Sequence, residues 1–389
     1  MKRIPLLDID AQLKPIREEV ISAVTEVIDS KQYILGKRVQ ELEDKIARYS
    51  GSHHAIGVSS GTDALLIALM ALGVGKGDLV ITTPYSFFAT AGVIARLGAA
   101  AVFADIDPVL YSIDPANIEE WLKKRPADTI KRVKAIIPVH LYGQCADMKD
   151  IMDVAGNYNI PVIEDAAQAI GAEYPFDGSI KRAGSIGLMG CFSFFPSKNL
   201  GGIGDGGMVI TSDEVLAEKL KILRVHGANP KYYHRMIGGN FRLDTVQAAV
   251  LLVKFKYLDG WHESRQTNAI RYDESFRKAN IPDSMINTPS PLYRGSVRHY
   301  HIYNQYVIRA ARRNELRTFL ENNGIGTEIY YPVPFHLQEC FTYLGYRKGD
   351  FPYSEKAADE TLALPVYPEI TEDMQMYVVD KVKEFYSMG

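Results

Sequence analysis

Short apolar runs alternate with helix-like stretches between about residues 54 and 211, and this alternation limits the fold of the chain more than any other feature. Strands that alternate with helices predict an α/β sheet, and runs that are apolar on both faces predict helices packed on each side of it. The predicted strands lie at residues 54–58, 79–82, 101–104, 135–139, 161–164, 189–194 and 208–211. We therefore expect an α/β fold with a mostly parallel central sheet.

The pattern changes in the C-terminal part of the chain. Residues 214–258 have a helical pattern, and a proline-rich segment at 281–291 precedes a strand-like run at 301–309 and helix-like runs at 313–323 and 371–386. A chain of 389 residues is longer than one hydrophobic core usually fills. We predict two domains, a large one at residues 1–255 and a smaller α+β one at residues 256–389.

Composition and charge exclude several classes of protein. The net charge of −3 gives no basic excess for binding nucleic acid or an anionic membrane. The longest apolar run, at residues 64–74, is too short to span a bilayer, and Asp8 and Asp10 interrupt the stretch where a secretory signal would be apolar. We therefore predict a cytoplasmic protein. The three cysteines are too few and too scattered for a disulfide framework or a zinc site, and no metal is predicted.

Small and hydroxyl residues follow the first predicted strand, where Ser60, Gly61 and Thr62 precede an apolar helix-like run. A helix N-terminus of this kind presents free backbone N–H groups and the positive end of the helix dipole, which together form an anion site. The same residue types are also ordinary helix caps. Both interpretations are open from these residues alone.

A carboxylate lies at the end of the predicted strand 161–164, where Glu164 is followed by Asp165. In open α/β sheets, ligands bind at the carboxyl ends of the strands. An acidic residue at this position would equally suit the cap of a following helix. The carboxylate therefore has a functional and a structural interpretation.

Lys198 lies on a loop that contains proline and several glycines and that joins two predicted strands. A partly desolvated lysine amine forms a Schiff base with an aldehyde, and one such aldehyde is pyridoxal phosphate. Gly202, Gly204 and Gly207 nominally fit the G-x-G-x-x-G fingerprint of dinucleotide-binding proteins. That fingerprint requires a helix after the glycines, whereas a strand-like run follows them here, so a nicotinamide cofactor is disfavoured.

Taken together, five motifs resemble the sugar aminotransferases of the DegT/DnrJ/StrS family, which are fold-type I enzymes dependent on pyridoxal 5′-phosphate (PLP). The motifs are SGTDAL at 60–65, YSFFAT at 85–90, EDAAQ at 164–168, SFFPSKNLGGIGDGG at 193–207 and GNFRLD at 239–244. They occur in the order of the family, and the resemblance extends over nearly the whole chain. It implies a PLP-binding large domain followed by the smaller C-terminal domain.

The resemblance implies roles for the cofactor-binding residues. Lys198 matches the lysine that anchors PLP and moves a proton during catalysis, and Asp165 matches the carboxylate that keeps the pyridine nitrogen protonated. Gln168 matches the side chain that hydrogen-bonds the ring oxygen. Phe87 matches the aromatic residue that stacks on the ring, although its neighbour Phe88 could take that position after a slip of one residue and otherwise packs in the core.

The phosphate and the substrates have further implied contacts. The phosphate ligands are Gly61, Thr62 and Ser193, and Asn240 matches a residue that reaches the cofactor of a neighbouring subunit, which implies a homodimer with shared active sites. Arg242 binds a substrate carboxylate or supports its loop. The candidate sugar contacts are Tyr330, Tyr331 and His336, for which core packing is the alternative.

The family resemblance implies a reaction in two halves, in which L-glutamate leaves its amino group on the cofactor and a nucleotide-linked keto sugar accepts it. The motifs resemble enzymes that aminate carbon 3, and the acceptors expected are a UDP-linked 3-keto-N-acetylhexosaminuronate or a dTDP-linked 3-keto-6-deoxyhexose. The product would enter polysaccharide or amino-sugar biosynthesis. The alternatives are amination at carbon 4 and a PLP-binding regulator without turnover, whereas Lys198 argues against a sugar dehydratase.

Overall fold

The computed structural model describes residues 3–388. Its strands are β1 (His54–Val58), β2 (Leu79–Thr82), β3 (Ala100–Phe103), β4 (Val133–Ile137), β5 (Ile163–Asp165), β6 (Glu173–Phe176), β7 (Ser179–Arg182), β8 (Met189–Ser193), β9 (Gly207–Thr211), β10 (Ile286–Asn287), β11 (Tyr306–Ala310) and β12 (Thr361–Leu364). Its α-helices are α1 (Ile9–Leu13), α2 (Arg17–Ser30), α3 (Lys37–Ser50), α4 (Gly61–Ala71), α5 (Ala89–Arg96), α6 (Pro115–Lys123), α7 (Ala127–Ile130), α8 (Met148–Tyr158), α9 (Glu214–Leu223), α10 (Thr245–Phe255), α11 (Leu258–Ala279), α12 (Arg313–Asn322), α13 (Pro352–Glu360) and α14 (Glu372–Ser387).

The central sheet has the strand order β3-β2-β4-β5-β8-β9-β1. Hydrogen-bonded ladders join β3-β2-β4 and β5-β8-β9-β1, and parallel bridges at Ile136–Val162 and Val139–Asp165 join the two halves. Strand β9 is antiparallel to both of its neighbours, and the other pairs are parallel. The prediction of a mostly parallel α/β sheet is confirmed.

Apolar residues on both faces of the strands explain why helices cover the sheet on each side. Alternate residues of one strand point to opposite faces. Ile81 and Ile136 accordingly belong to one buried cluster with residues of α3 and α8, whereas Val80 and Ile137 belong to another with residues of α4 and α5. Both faces are therefore part of the hydrophobic core.

The C-terminal part combines a small sheet with helices. Strands β10, β11 and β12 form an antiparallel sheet, and its buried side chains pack with those of α11, α12 and α14. This arrangement is the expected α+β structure, while the division of the chain at residue 255 stays a prediction. No helix within residues 3–388 is long and apolar enough to cross a membrane.

The structure differs from the predicted elements in several places, and β11, for example, begins at Tyr306 rather than at residue 301. The segment predicted as helix at 214–258 contains a long loop between α9 and α10, because Gly227, at φ +74°, and Pro230 do not suit the interior of a helix. The hairpin of β6 and β7 was not predicted, since Pro175 and the exposed β7 hide its strand pattern. Strand β9 begins at Gly207, so a strand and not a helix comes after the glycines, as expected when the dinucleotide fingerprint was rejected.

Candidate active site

The strand ends bring the candidate residues to one edge of the sheet. Asp165 is the last residue of β5, and Ser193 is the last residue of the neighbouring parallel strand β8. The carboxyl ends of parallel strands meet at one edge, where open α/β sheets bind their ligands. The loop that carries Lys198 continues from β8 at this edge.

Lys198 is half-buried on this loop, and its ammonium forms no hydrogen bond within residues 3–388. Burial lowers the pKa of Lys198 to about 8, and the negative charge of Asp165 partly opposes that shift. A lysine amine with a lowered pKa is a better nucleophile near neutral pH. The structure therefore gives Lys198 the property that the sequence interpretation requires.

Asp165 is buried and held by two hydrogen bonds. The Thr90 hydroxyl donates to Oδ2 at 2.8 Å, and the Ala167 N–H donates to Oδ1 at 3.2 Å. Burial raises the pKa of Asp165, while these hydrogen bonds and the charge of Lys198 lower it. A buried carboxylate of this kind is stabilised by a cationic partner, such as a protonated ring nitrogen.

The turn between β1 and α4 provides both a helix cap and a candidate anion site. The Ser60 hydroxyl caps the helix by accepting the Asp63 N–H at 3.0 Å. Within the described residues 3–388, the N–H groups of Gly61 and Thr62 have no acceptor. A Cβ on Gly61 would lie only 2.6 Å from the Cβ of Ser193. The capping and anion-binding interpretations are therefore compatible, and Ser193 lies beside the free N–H groups.

Gln168, Phe87 and Tyr331 lie together next to this edge. The Gln168 Oε1 accepts the Tyr142 N–H at 2.7 Å, and its Nε2 donates to the Tyr331 hydroxyl at 3.1 Å. The rings of Phe87 and Tyr331 have centroids 6.0 Å apart. Phe88 instead packs against Phe341, at a centroid distance of 5.6 Å. This placement favours Phe87 as the stacking residue and core packing for Phe88.

The remaining predicted residues have different surroundings. Asn240 is exposed, and Arg242 is half-buried with an Nε that has no hydrogen-bond partner in the described part of the chain. His336 is buried, its Nε2 lies 2.9 Å from the Glu355 carboxylate, and its ring packs against Phe351. These contacts are consistent with the core-packing alternative for His336, while its role as a sugar contact stays a prediction.

Comparisons with known proteins decide the family. The model of the DegT/DnrJ/EryC1/StrS aminotransferase family matches residues 14–383. The chain belongs to this family. The resemblance inferred from the five motifs is confirmed, and the protein is a fold-type I aminotransferase that uses PLP.

Individual members of the family match over almost their entire length. A protein from Geobacillus stearothermophilus named pleiotropic regulatory protein is 50% identical over 383 residues, which cover 98% of each chain. The UDP-N-acetyl-3-dehydro-alpha-D-glucosamine 3-aminotransferase of Acidithiobacillus ferrooxidans is 40% identical over 95% of this chain and 94% of its own. The crystal structure of S. venezuelae DesV with a ketimine intermediate matches with a TM-score of 0.90, at 36% identity and 99% coverage of both chains.

The chemistry of the donor groups fits the cofactor of this family. The amine of Lys198 suits its aldehyde, the carboxylate of Asp165 suits its ring nitrogen, and the free N–H groups of Gly61 and Thr62 suit its phosphate. The fit includes a steric restriction, because only a glycine at position 61 leaves room beside Ser193. The roles of the individual residues stay predictions.

The sequence analysis missed one network of hydrogen bonds next to these residues. The Tyr85 hydroxyl donates to the Tyr330 carbonyl at 2.7 Å and accepts the Tyr331 N–H at 3.2 Å. Tyr142 also donates its hydroxyl to the Tyr330 carbonyl, and Thr361 lies 2.8 Å from the Tyr85 hydroxyl. This network fixes the backbone that carries Tyr331. Tyr85 begins the YSFFAT motif, which was the available signal, but its partners lie far away in sequence.

The lowered pKa of Lys198 predicts how cofactor capture depends on pH. Only the neutral amine is nucleophilic, so the rate at which the cofactor-free protein binds PLP covalently should rise with pH, reach half its maximum near pH 8 and then level off. Asp165→Asn removes a charge that raises this pKa, so its profile should shift to lower pH. Stopped-flow absorbance between pH 6 and pH 10 measures both profiles, and a midpoint near that of an exposed lysine would contradict the prediction.

A methyl group at position 61 should block the anion site. Gly61→Ala places a Cβ 2.6 Å from Ser193 Cβ, so the turn must shift away from the phosphate position. We expect PLP to bind at least about 30-fold more weakly, which corresponds to the loss of one or two charge-assisted hydrogen bonds. Equilibrium dialysis measures this. Gly156→Ala is the matched control, since a Cβ on that helical glycine meets nothing within 4 Å, and equal weakening in both variants would contradict the prediction.

Proposed function

We propose that the protein transfers an amino group from L-glutamate to carbon 3 of a nucleotide-linked keto sugar in polysaccharide or amino-sugar biosynthesis. The observation that carries the amino transfer is the placement of the partly desolvated Lys198 amine near the buried Asp165 carboxylate at the sheet edge. The choice of acceptor is supported by the 3-aminotransferase from Acidithiobacillus ferrooxidans, whose name specifies a UDP-linked 3-keto sugar.

Each residue of the site has a distinct task in this proposal. Bound PLP supplies an electron sink for the carbon that loses a proton. Because burial lowers its pKa to about 8, Lys198 can accept and return a proton at Nζ near neutral pH. Asp165 would hold a negative charge against the ring nitrogen, and the Thr90 hydroxyl holds Asp165 in place. Gln168 is itself positioned by the Tyr142 backbone, so its remaining N–H can be directed at the ring oxygen.

The acceptor groove is proposed to lie beside Tyr330 and Tyr331, with Arg242 as a second contact. The Tyr85 network fixes the backbone of these tyrosines, and the Tyr331 hydroxyl accepts a hydrogen bond from Gln168. This arrangement would place the sugar next to the cofactor. A UDP-linked 3-keto-N-acetylhexosaminuronate and a dTDP-linked 3-keto-6-deoxyhexose are the acceptors to be compared.

A homodimer is part of the proposal because Asn240 reaches the neighbouring subunit's cofactor in the family pattern. Asn240 is exposed, and the same loop exposes Ile237 at 90% and Tyr232 at 78% of their surfaces. Apolar side chains exposed to this degree are typical of surfaces that bind another protein. Analytical ultracentrifugation should show a dimer, and a monomer with full activity would contradict shared active sites.

The proposed substrates can be tested by following the visible absorbance of the bound cofactor. Glutamate should bleach the absorbance, and adding the correct keto sugar should restore it as the amino group leaves. A panel of UDP- and dTDP-linked 3-keto and 4-keto sugars identifies the acceptor. Recovery with a 3-keto sugar supports the proposal, whereas recovery only with 4-keto sugars would move the amination to carbon 4.

A second candidate is a regulatory function, favoured by the name of the relative from Geobacillus stearothermophilus. A regulator that binds PLP without turnover would not convert glutamate continuously to 2-oxoglutarate in the presence of an acceptor sugar. Measuring 2-oxoglutarate release over many turnovers therefore separates the two functions. If no sugar raises the release of 2-oxoglutarate above one equivalent per chain, the regulatory function is favoured.

A further inference from the structure

Two buried histidines outside the active site have no hydrogen-bond partners. His262 lies on α11 and His299 lies in the segment before β11, and both are fully buried. Within residues 3–388, none of their four ring nitrogens has a partner. Buried polar atoms are normally paired, because leaving them unpaired is unfavourable. The two rings therefore suit a ligand that bonds to a ring nitrogen of each.

A carboxylate completes the group. Asp259 lies three residues before His262 on the same face of α11, and its Oδ1 accepts the Tyr49 hydroxyl at 2.6 Å. One ligand atom from each of Asp259, His262 and His299 can be chosen so that all three lie within 4.8 Å of one another. The ligand atoms of a tetrahedral zinc site are about 3.3 Å apart, so modest side-chain rotations would bring them to bonding positions.

We propose that Asp259, His262 and His299 bind a divalent transition-metal cation. Two imidazole nitrogens and one carboxylate oxygen are a common ligand set for zinc and its neighbours in the first transition series. Such a site was not predicted from the sequence, where only the scattered cysteines were considered as zinc ligands. Asp259 is only partly buried, which leaves a route by which an ion can enter from solvent.

The surroundings of the histidines contain charges of both signs. The ring nitrogens of His262 and His299 have no partner within residues 3–388, and a neutral imidazole donates a lone pair to a metal. Glu173 adds a second carboxylate, which accepts the backbone N–H of His299 at 3.0 Å. Arg182 and Arg265 also lie near His262, so the site relies on direct coordination rather than on a strongly negative field.

The position of the cluster indicates what the cation would do. Asp259 and His262 belong to α11, His299 precedes β11, and Tyr49 is near the end of α3. A cation bound by these ligands would join segments that are distant in sequence, and binding to the folded state alone would stabilise the protein. The cation is therefore proposed to stabilise the fold by joining these segments, and to have no part in amino transfer.

Metal analysis of the purified holoprotein tests the proposal. After expression with added zinc sulfate, mass spectrometry should find about one zinc ion per chain. His262→Gln and His299→Gln should each lower the affinity for zinc at least about 100-fold. His336→Gln is the matched control, because His336 is also buried but is paired with Glu355. Equal loss of zinc from the control would overturn the proposal.

Two further measurements keep the test decisive if a variant fails to fold. Zinc added to the chelator-treated wild-type holoprotein should raise its Tm, and no rise at micromolar free zinc would overturn the proposal. Crystals of the zinc-loaded protein should show an anomalous peak between Asp259, His262 and His299. A peak only at exposed histidines such as His53, or only water between the buried rings, would also overturn it.

Discussion

Replacing Lys198 with alanine is expected to lower kcat for amino transfer at least about 10⁴-fold while the protein stays folded. The variant loses the amine that is proposed to attach the cofactor and to move the proton. Because the Lys198 ammonium forms no hydrogen bond within residues 3–388, its removal costs the fold little. Single-turnover kinetics and the visible absorbance of the bound cofactor measure the loss.

Lys254 provides a matched control for Lys198. It is also buried, burial lowers its pKa to about 8, and its ammonium donates to the Gly201 carbonyl at 2.6 Å. Lys254→Met should weaken the fold yet leave the cofactor covalently attached. Borohydride reduction followed by peptide mass spectrometry locates the attachment, and a cofactor fixed to Lys254 in place of Lys198 would contradict the prediction.

Asp165→Asn should lower kcat by about 10³-fold, since it removes the charge that is proposed to face the ring nitrogen while keeping the size of the side chain. The amide can still accept the Thr90 hydroxyl, so the geometry is largely preserved. Comparing kcat and cofactor affinity in both half-reactions measures the effect. A loss confined to cofactor affinity would indicate a binding role alone.

Thr90→Val separates the charge of Asp165 from its positioning. This variant removes the hydrogen bond at 2.8 Å but keeps the carboxylate, so we expect a loss of only about tenfold in kcat. Without that hydrogen bond the pKa of Asp165 should rise, because the hydroxyl stabilises the charged form. The activity of the variant should therefore fall at a higher pH than that of the wild type as the solution is acidified. An unchanged pH profile would contradict this account.

The central sheet and its ligand edge could be predicted because their signals are local. The strands are apolar on both faces, and Asp165 and Lys198 follow neighbouring strands at positions that the strand order brings to one edge. The candidate anion site could be proposed for the same reason, because Gly61 begins α4 three positions after the end of β1.

The features that could not be predicted depend on contacts between distant residues. The pairing of the buried His336 ring with Glu355 of α13 is one such contact. The Tyr85 hydroxyl meets its partners across 245 and 246 positions of the chain. The unpaired rings of His262 and His299 are likewise visible only after folding, since nothing in either neighbourhood indicates that the two come together.

The central claim is most directly tested by following the nitrogen of labelled glutamate. The holoprotein is mixed with [15N]glutamate and then with UDP-linked 3-keto-N-acetylhexosaminuronate or the dTDP-linked 3-keto sugar, and the product is examined by NMR. We predict that 15N appears on carbon 3 of one of these sugars in step with 2-oxoglutarate release. Release of 2-oxoglutarate with no 15N on any nucleotide-linked keto sugar would contradict the proposed function.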